Sequence, residues 1–186
     1  PGERRDPLKL DENVGDHPAK SEGEPMKSSR EHFTECFKAE KPKFVRVLRA
    51  VPPDQCAYCP HPRSTSAKDL VWLIASEWGD ACELIDKSEV NYVARPAPAS
   101  LEESVATFER NADEIENRLA RMDDAAWDRN AQFKMDGNVA WEAPLGDMLF
   151  GFLFDAIHHR GQLSSYLRPM GAKVPSIYGP SADDPG

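Results

Sequence analysis

Seven apolar residues, Leu101, Val105, Phe108, Ala112, Ile115, Leu119 and Met122, recur at spacings of 4-3-4-3-4-3. No other feature of the chain so narrows what it can fold into. Side chains three and four residues apart leave one face of an α-helix. A stripe kept up over so many steps is a seam that must be buried against other helices. Ser100 stands before it as an N-cap, and Glu102 and Glu103 fall in the first turn, where the helix dipole favours acids. Three more segments carry the helical signature. The first runs from about Ser28 to Ala50, with Phe33, Phe37, Phe44 and Val47 near one stripe and Pro42 predicting a kink or a break. The second, from Ala67 to about Asp86, follows the cap Ser66 and places Leu70, Ile74, Ala81 and Leu84 on one face. The last spans about Leu145 to Leu167 and stops before Pro169 and Gly171. Between the third and last helices, Phe133 and Met135 alternate before Asp136-Gly137, and Val139 and Trp141 alternate after it. That is a hairpin signal, with a plain crossover loop as the alternative. The expectation is an all-α fold: a four-helix bundle with an irregular or hairpin connection between helices three and four.

A length of 186 residues suits one domain with a tail or two. Residues 1–25 combine prolines and charges with only two leucines and one valine, too little apolar surface to offset ordering the backbone. They read as a disordered leader or an expression remnant, with Met26 a plausible start and 26–186 the bundle. The turn-rich tail AKVPSIYGPSADDPG offers Val174, Ile177 and Tyr178 for packing against that bundle. A net charge of −9 argues against a nucleic-acid partner, because phosphate binding needs a basic face. No apolar run spans a bilayer and no secretory signal opens the chain, so the expected setting is cytoplasmic, with no membrane partner. The four cysteines, Cys36, Cys56, Cys59 and Cys82, then read as free thiols.

The last helix poses a chemical question. Along it Met148, Phe152, Asp155, His159, Gln162 and Tyr166 form one stripe that begins apolar and turns polar. Asp155 and His159, four residues apart, project from one face, the spacing by which a helix offers two ligands to one metal ion. A third ligand is expected from a facing helix. Glu77 supplies it, because it falls inside the apolar stripe of the second helix, where a carboxylate is costly unless paired, protonated or bound to a cation. Glu40 holds a similar place on the first helix. The residues therefore allow a divalent ion held by Glu77, Asp155 and His159. They equally allow a buried Glu–His or Asp–Arg pair, or a solvent-filled groove. His158 points about 100° away, toward an interface or a supporting role, and Arg160 is expected to pair with a surface acid. In CAYCPHP, Cys56, Cys59 and His61 supply three of the four ligands a structural zinc needs, and no spacing identifies a fourth. Loop cysteines are the plainer account.

At HHRGQLSSYLRPMG, and more weakly at SAKDLVWLIASE, the sequence resembles the DinB-like (damage-inducible, YfiT-type) superfamily of metal-dependent four-helix proteins. The tail VPSIYGPS resembles one branch of it, and the resemblance spans roughly Met26 to the C-terminus. It implies a divalent ion, often nickel or zinc, on three histidines, one from the second helix and two from an HxxxH on the fourth. His159 matches the last of these. Asp155 stands where the first histidine of HxxxH is expected, and Leu73 where the second-helix histidine is expected. Two outcomes follow. Either the site is rebuilt from Glu77, Asp155 and His159, a set suited to nickel, zinc, manganese or iron, or the metal is lost and the pocket serves another use. The resemblance implies a thiol-transferase or isomerase activity in which a metal activates a low-molecular-weight thiol, with His158 or Tyr166 as a proton relay. The alternative is a non-enzymatic, stress-response bundle that binds a small molecule through a metal-free polar cluster. Either would pair as a homodimer, with Trp72 or Trp78 at the interface.

Overall fold

Short polar caps decide where four of the helices begin in the computed structural model, which describes residues 27–186. The Ser28 hydroxyl accepts from the Glu31 amide while the Glu31 side chain accepts from the Ser28 amide, a capping box that opens α1 (Ser29–Arg49). Ser66 opens α2 (Ala67–Lys87), Ser100 opens α3 (Leu101–Leu119) and Asp123 opens the five-residue α4 (Asp124–Asp128). The last helix, α5 (Leu145–Leu167), begins directly after Pro144. Pro42 lies inside α1, which continues through it as one helix rather than breaking. The leader, residues 1–25, and Met26 lie outside the described residues.

The expectation of an all-α fold is corrected by a three-stranded sheet in the order β1 (Glu89–Tyr92), β2 (Asn130–Met135), β3 (Asn138–Pro144). The β2–β3 pair is the hairpin that the alternation around Asp136-Gly137 signals, and both turn residues take positive φ, 50° and 77°. β1 was not foreseen. It follows α2 through Ser88, in the left-handed region at φ 61°, and pairs in parallel with β2, Glu89 opposite Gln132 and Val90 opposite Phe133. A parallel pair needs a crossover, which α3 provides. Four residues are too few to show a period of their own, and their partner lies beyond a whole helix.

α2 is the central element, packed against α3 and α5, with α1 closing the bundle on the far sides of those two. Phe33, Phe37, Trp78, Phe44 and Phe108 fill its middle. One expectation about α5 is reversed. Arg160 is no surface residue: it is 1% exposed. Its Nη1 donates to Glu40 Oε2 at 2.6 Å and its Nη2 to the Tyr178 hydroxyl at 2.6 Å, while that hydroxyl donates to Glu40 at 2.8 Å. Lys43 satisfies the other Glu40 oxygen at 2.6 Å. The reason lies in the helix phase. Leu153, Ala156, Arg160, Leu163 and Leu167 are spaced 3-4-3-4 and all are buried, so Arg160 sits within the seam itself. The cluster ties α1, α5 and the C-terminal tail together, and Val174 and Ile177 pack against the core beside it.

Candidate functional site

On α2, Leu73, Ser76, Glu77 and Asp80 stand at helical i, i+3, i+4 and i+7, so all four side chains leave the same face. That face meets α5 at Gly151, Phe152 and Asp155, and the sheet covers the gap with Tyr92 from β1, Phe133 and Met135 from β2, and Trp141 from β3. The space enclosed is a cleft of about 340 Å³. Gly151 is what allows Trp141 to lie there: a Cβ at that position would stand 2.6 Å from the indole ring. The register shift between Phe133 and Lys134 falls in the strand that forms the cleft's roof.

Three acids reach this apolar space, each in a different condition. Glu77 is 7% exposed and its Oε1 has no hydrogen-bond partner. Burial above all, then the charge of Asp155, a hydrogen bond shared with the Asp155 carboxyl and the charge of Asp80, push the Glu77 carboxyl well above the ordinary value of 4.5. These surroundings favour the neutral, protonated form of Glu77. Burial also raises Asp80, but the Arg95 guanidinium pairs with it and opposes the shift. Trp72 Nε1 donates to the Arg95 carbonyl at 2.9 Å, fixing that loop against α2. Asp155 has a side chain 57% exposed, and its Oδ2 lies 3.3 Å from His159 Nε2. The other ring nitrogen of His159 faces Gln162 Oε1, also at 3.3 Å. A polar line therefore runs from buried Glu77 through Asp155 and His159 to Gln162.

The structure thus brings Glu77 to Asp155 and Asp155 to His159. It does not bring the two suggested relay residues to the cleft: His158 is exposed with its ring against His159, centroids 5.1 Å apart, and Tyr166 is buried with its ring edge against Tyr58 at 5.6 Å. Both fall outside the cleft because α5 has carried them around or beyond it. The donors also fail to gather around one point: among the described residues no group of three His, Cys, Asp or Glu side chains is placed to hold a metal ion. Leu73 lines the cleft where the resemblance expects a histidine. As placed, the donor set does not fit a resident divalent ion, which demands several converging ligands. The CAYCPHP loop has a structural part instead. The carbonyls of Cys56 and Tyr58 accept from the Lys68 and Ala67 amides at 2.8 and 2.9 Å, capping the start of α2, and both thiols are free.

Sequence reasoning missed the aromatic walls, because Tyr92, Phe133 and Trp141 come from a sheet whose closure over α5 has no local signature. Asp80 was legible, three residues beyond Glu77 on the same stripe. Gly151, a lone glycine in the apolar run Met148–Leu153, was the other available signal.

The family model described as the DinB superfamily matches residues 37–163. No curated protein sequence matches the chain. Among solved structures, a DinB-like protein from Bacillus cereus superposes with a TM-score of 0.67 at 16% identity, covering 78% of this chain and 95% of that one. YfiT from Bacillus subtilis, described as a probable metal-dependent hydrolase with an unusual four-helix bundle topology, gives 0.63 at 13% identity over 86% of this chain and 97% of its own. A mycothiol-dependent maleylpyruvate isomerase gives 0.51 at 13% identity, over 79% of this chain and 64% of that one. At these identities the likeness establishes a shared fold. The family match covers more than half of the chain and includes α2 and the cleft-lining part of α5, the two helices that carry Glu77 and Asp155: the chain belongs to the DinB superfamily.

Proposed function

We propose that the chain is an enzyme acting on a small organic molecule in this cleft, with the Glu77–Asp155 pair moving a proton on that molecule. One observation carries the reading: two adjacent carboxyl groups from facing helices sit in opposite environments, one buried and pushed toward its protonated form, the other exposed beside an imidazole. Environments that drive two titratable groups apart assign the acid and the base. Glu77 is the general acid. Asp155, with His159 to accept charge, is the general base. The superposable folds include a probable hydrolase and an isomerase, and reactions of both kinds deliver and remove protons at oxygen or at carbon next to a carbonyl. The test is turnover of a panel of small esters, thioesters and cis–trans enoate esters, each class with neutral and amine-bearing members, by the wild type and by Glu77→Gln. We expect one class to turn over, and the substitution to slow it roughly 100-fold without changing helical content. Full activity in Glu77→Gln, or no turnover across the panel, would sink the proposal.

A second reading is favoured by the partnerless Glu77 Oε1, an acceptor without a donor. It places nickel, zinc, manganese or iron on Glu77, Asp155 and His159, with a low-molecular-weight thiol as co-substrate, and requires the His159 ring to turn toward Glu77. Elemental analysis of protein purified without a metal column decides it. Near-stoichiometric metal in the wild type, lost in His159→Ala, would favour this reading over the first. Both readings include a homodimer. Trp78, expected at its interface, is fully buried in the core and cannot serve, so Phe154, 63% exposed on α5, is the apolar surface at hand, and sedimentation velocity reports the dimer's presence.

A further inference from the structure

The walls and floor of the cleft are chemically opposed. Four aromatic side chains, Tyr92, Phe133, Trp141 and Phe152, line it, and three of them form one continuous surface. Tyr92 stacks on Phe133 with centroids 6.2 Å apart, and Phe152 meets Phe133 edge-on at 6.0 Å. The charged residues of the lining are Glu77, Asp80 and Asp155, with no lysine, arginine or histidine among them. Arg95 claims Asp80. That leaves the Glu77–Asp155 pair, with a buried oxygen on Glu77 that nothing satisfies.

We infer that the ligand of this cleft is a small organic cation, a protonated amine on an apolar or aromatic body, whose ammonium group is held by Glu77 and Asp155 while the body lies among Tyr92, Phe133, Trp141 and Phe152. The inference rests on the reading of the cleft as a small-molecule site and narrows its substrate class. An ammonium group brings three N–H donors, enough to satisfy Glu77 Oε1 and still bond Asp155. The ring faces attract positive charge and take up the carbon skeleton at once. An anion finds only acidic side chains and no basic one in the lining. A neutral alcohol fills the walls but offers one donor to two carboxyl groups. A bare metal ion uses the acids and leaves four aromatic walls without an occupant. A volume of about 340 Å³ sits at the small end of ligand pockets.

The experiment titrates the full chain with three probes of one shape: phenethylamine, 2-phenylethanol and 3-phenylpropionate. The Trp141 indole N–H in the proton–nitrogen correlation spectrum reports occupancy of the cleft. The amine is expected to shift Trp141 saturably and to bind at least about tenfold more tightly than the alcohol, since hydrogen bonds to charged groups account for that much. Asp155→Asn, a change at a half-exposed side chain that leaves the core untouched, is expected to abolish that preference. If the alcohol shifts Trp141 as tightly as the amine, the cleft stands as a small-molecule site and the cation inference is overturned. If no probe moves Trp141, both fall. An amine preference that survives Asp155→Asn and Glu77→Gln alike also overturns the inference.

Discussion

Glu77 and Glu40 are both buried glutamates on helices of the same bundle, and their surroundings send them opposite ways. At Glu40 burial pulls the carboxyl upward, but hydrogen bonds from Lys43, Arg160 and Tyr178 outweigh it and hold the group below its ordinary range. Its contribution to stability is present above the unfolded-state value and is lost as pH falls through the lower folded value. At Glu77 the shift is upward, so stability is fully present below 4.5 and declines as pH rises from there toward the folded value. Glu77→Gln should therefore flatten the stability profile above pH 4.5, and urea unfolding at pH 5 and pH 8 will show a smaller difference in the variant than in the wild type. Glu40→Gln acts on a pair whose arginine is 1% exposed, and should cost about 3 kcal/mol at neutral pH by leaving Arg160 without its carboxylate. The same denaturation experiment reads it. Glu77 was visible in the sequence because it interrupts an apolar stripe. Arg160 was not. Its seam of Leu153, Ala156, Leu163 and Leu167 runs beside the stripe of Phe152, Asp155, His159 and Gln162, and only the packing of α5 decides which faces the core.

At the scale of elements, two glycines of α5 receive two tryptophans. Trp127 of α4 lies so close to Gly146 that an added methyl would overlap its ring, and Trp141 of β3 lies over Gly151. The two sites differ in freedom: Trp127 is 4% exposed and Trp141 39%. Gly146→Ala should destabilise by about 2 kcal/mol, because a buried indole has nowhere to go. Gly151→Ala should change stability little, since the gain in helix propensity offsets the displaced ring. It should still move Trp141 off the cleft wall, seen as a red shift in tryptophan emission and weaker binding of any cleft ligand. Four of the five helices were legible, α1, α2 and α5 to within a residue at their ends, because caps and 3.6-residue stripes are local. The third stripe ran on to Met122, past the end of α3 at Leu119, and the five-residue α4 was too short to show. The hairpin was legible from Asp136-Gly137. β1 was not, because its pairing with β2 spans α3 and its four residues carry no pattern.

For the whole molecule, the cleft exists because a bundle and a small sheet share one wall, and the acids inside it come from the bundle alone. No helix among the described residues is long and apolar enough to cross a membrane. Structures of this fold include one described as a probable metal-dependent hydrolase and a mycothiol-dependent isomerase, yet here Leu73 and Asp155 replace the two histidines that the resemblance expects. If the fold needs no ion, dialysis against a chelator will leave the thermal midpoint unchanged, and adding nickel, zinc or manganese will not raise it. A drop of several degrees on chelation would instead place a structural ion among Glu77, Asp155 and His159, since anything bound only by the native state adds to its stability.

The central claim is that burial and the neighbouring Asp155 carboxyl favour the protonated form of Glu77. Carbon-detected NMR of the side-chain carboxyls, assigned through Glu77→Gln and Asp155→Asn and followed from pH 3 to pH 9 in metal-free buffer, measures it directly. The account predicts that Glu77 titrates well above 4.5 and that its titration moves downward when Asp155 is replaced. A Glu77 resonance that titrates in the ordinary glutamate range, unaffected by Asp155→Asn, would contradict it.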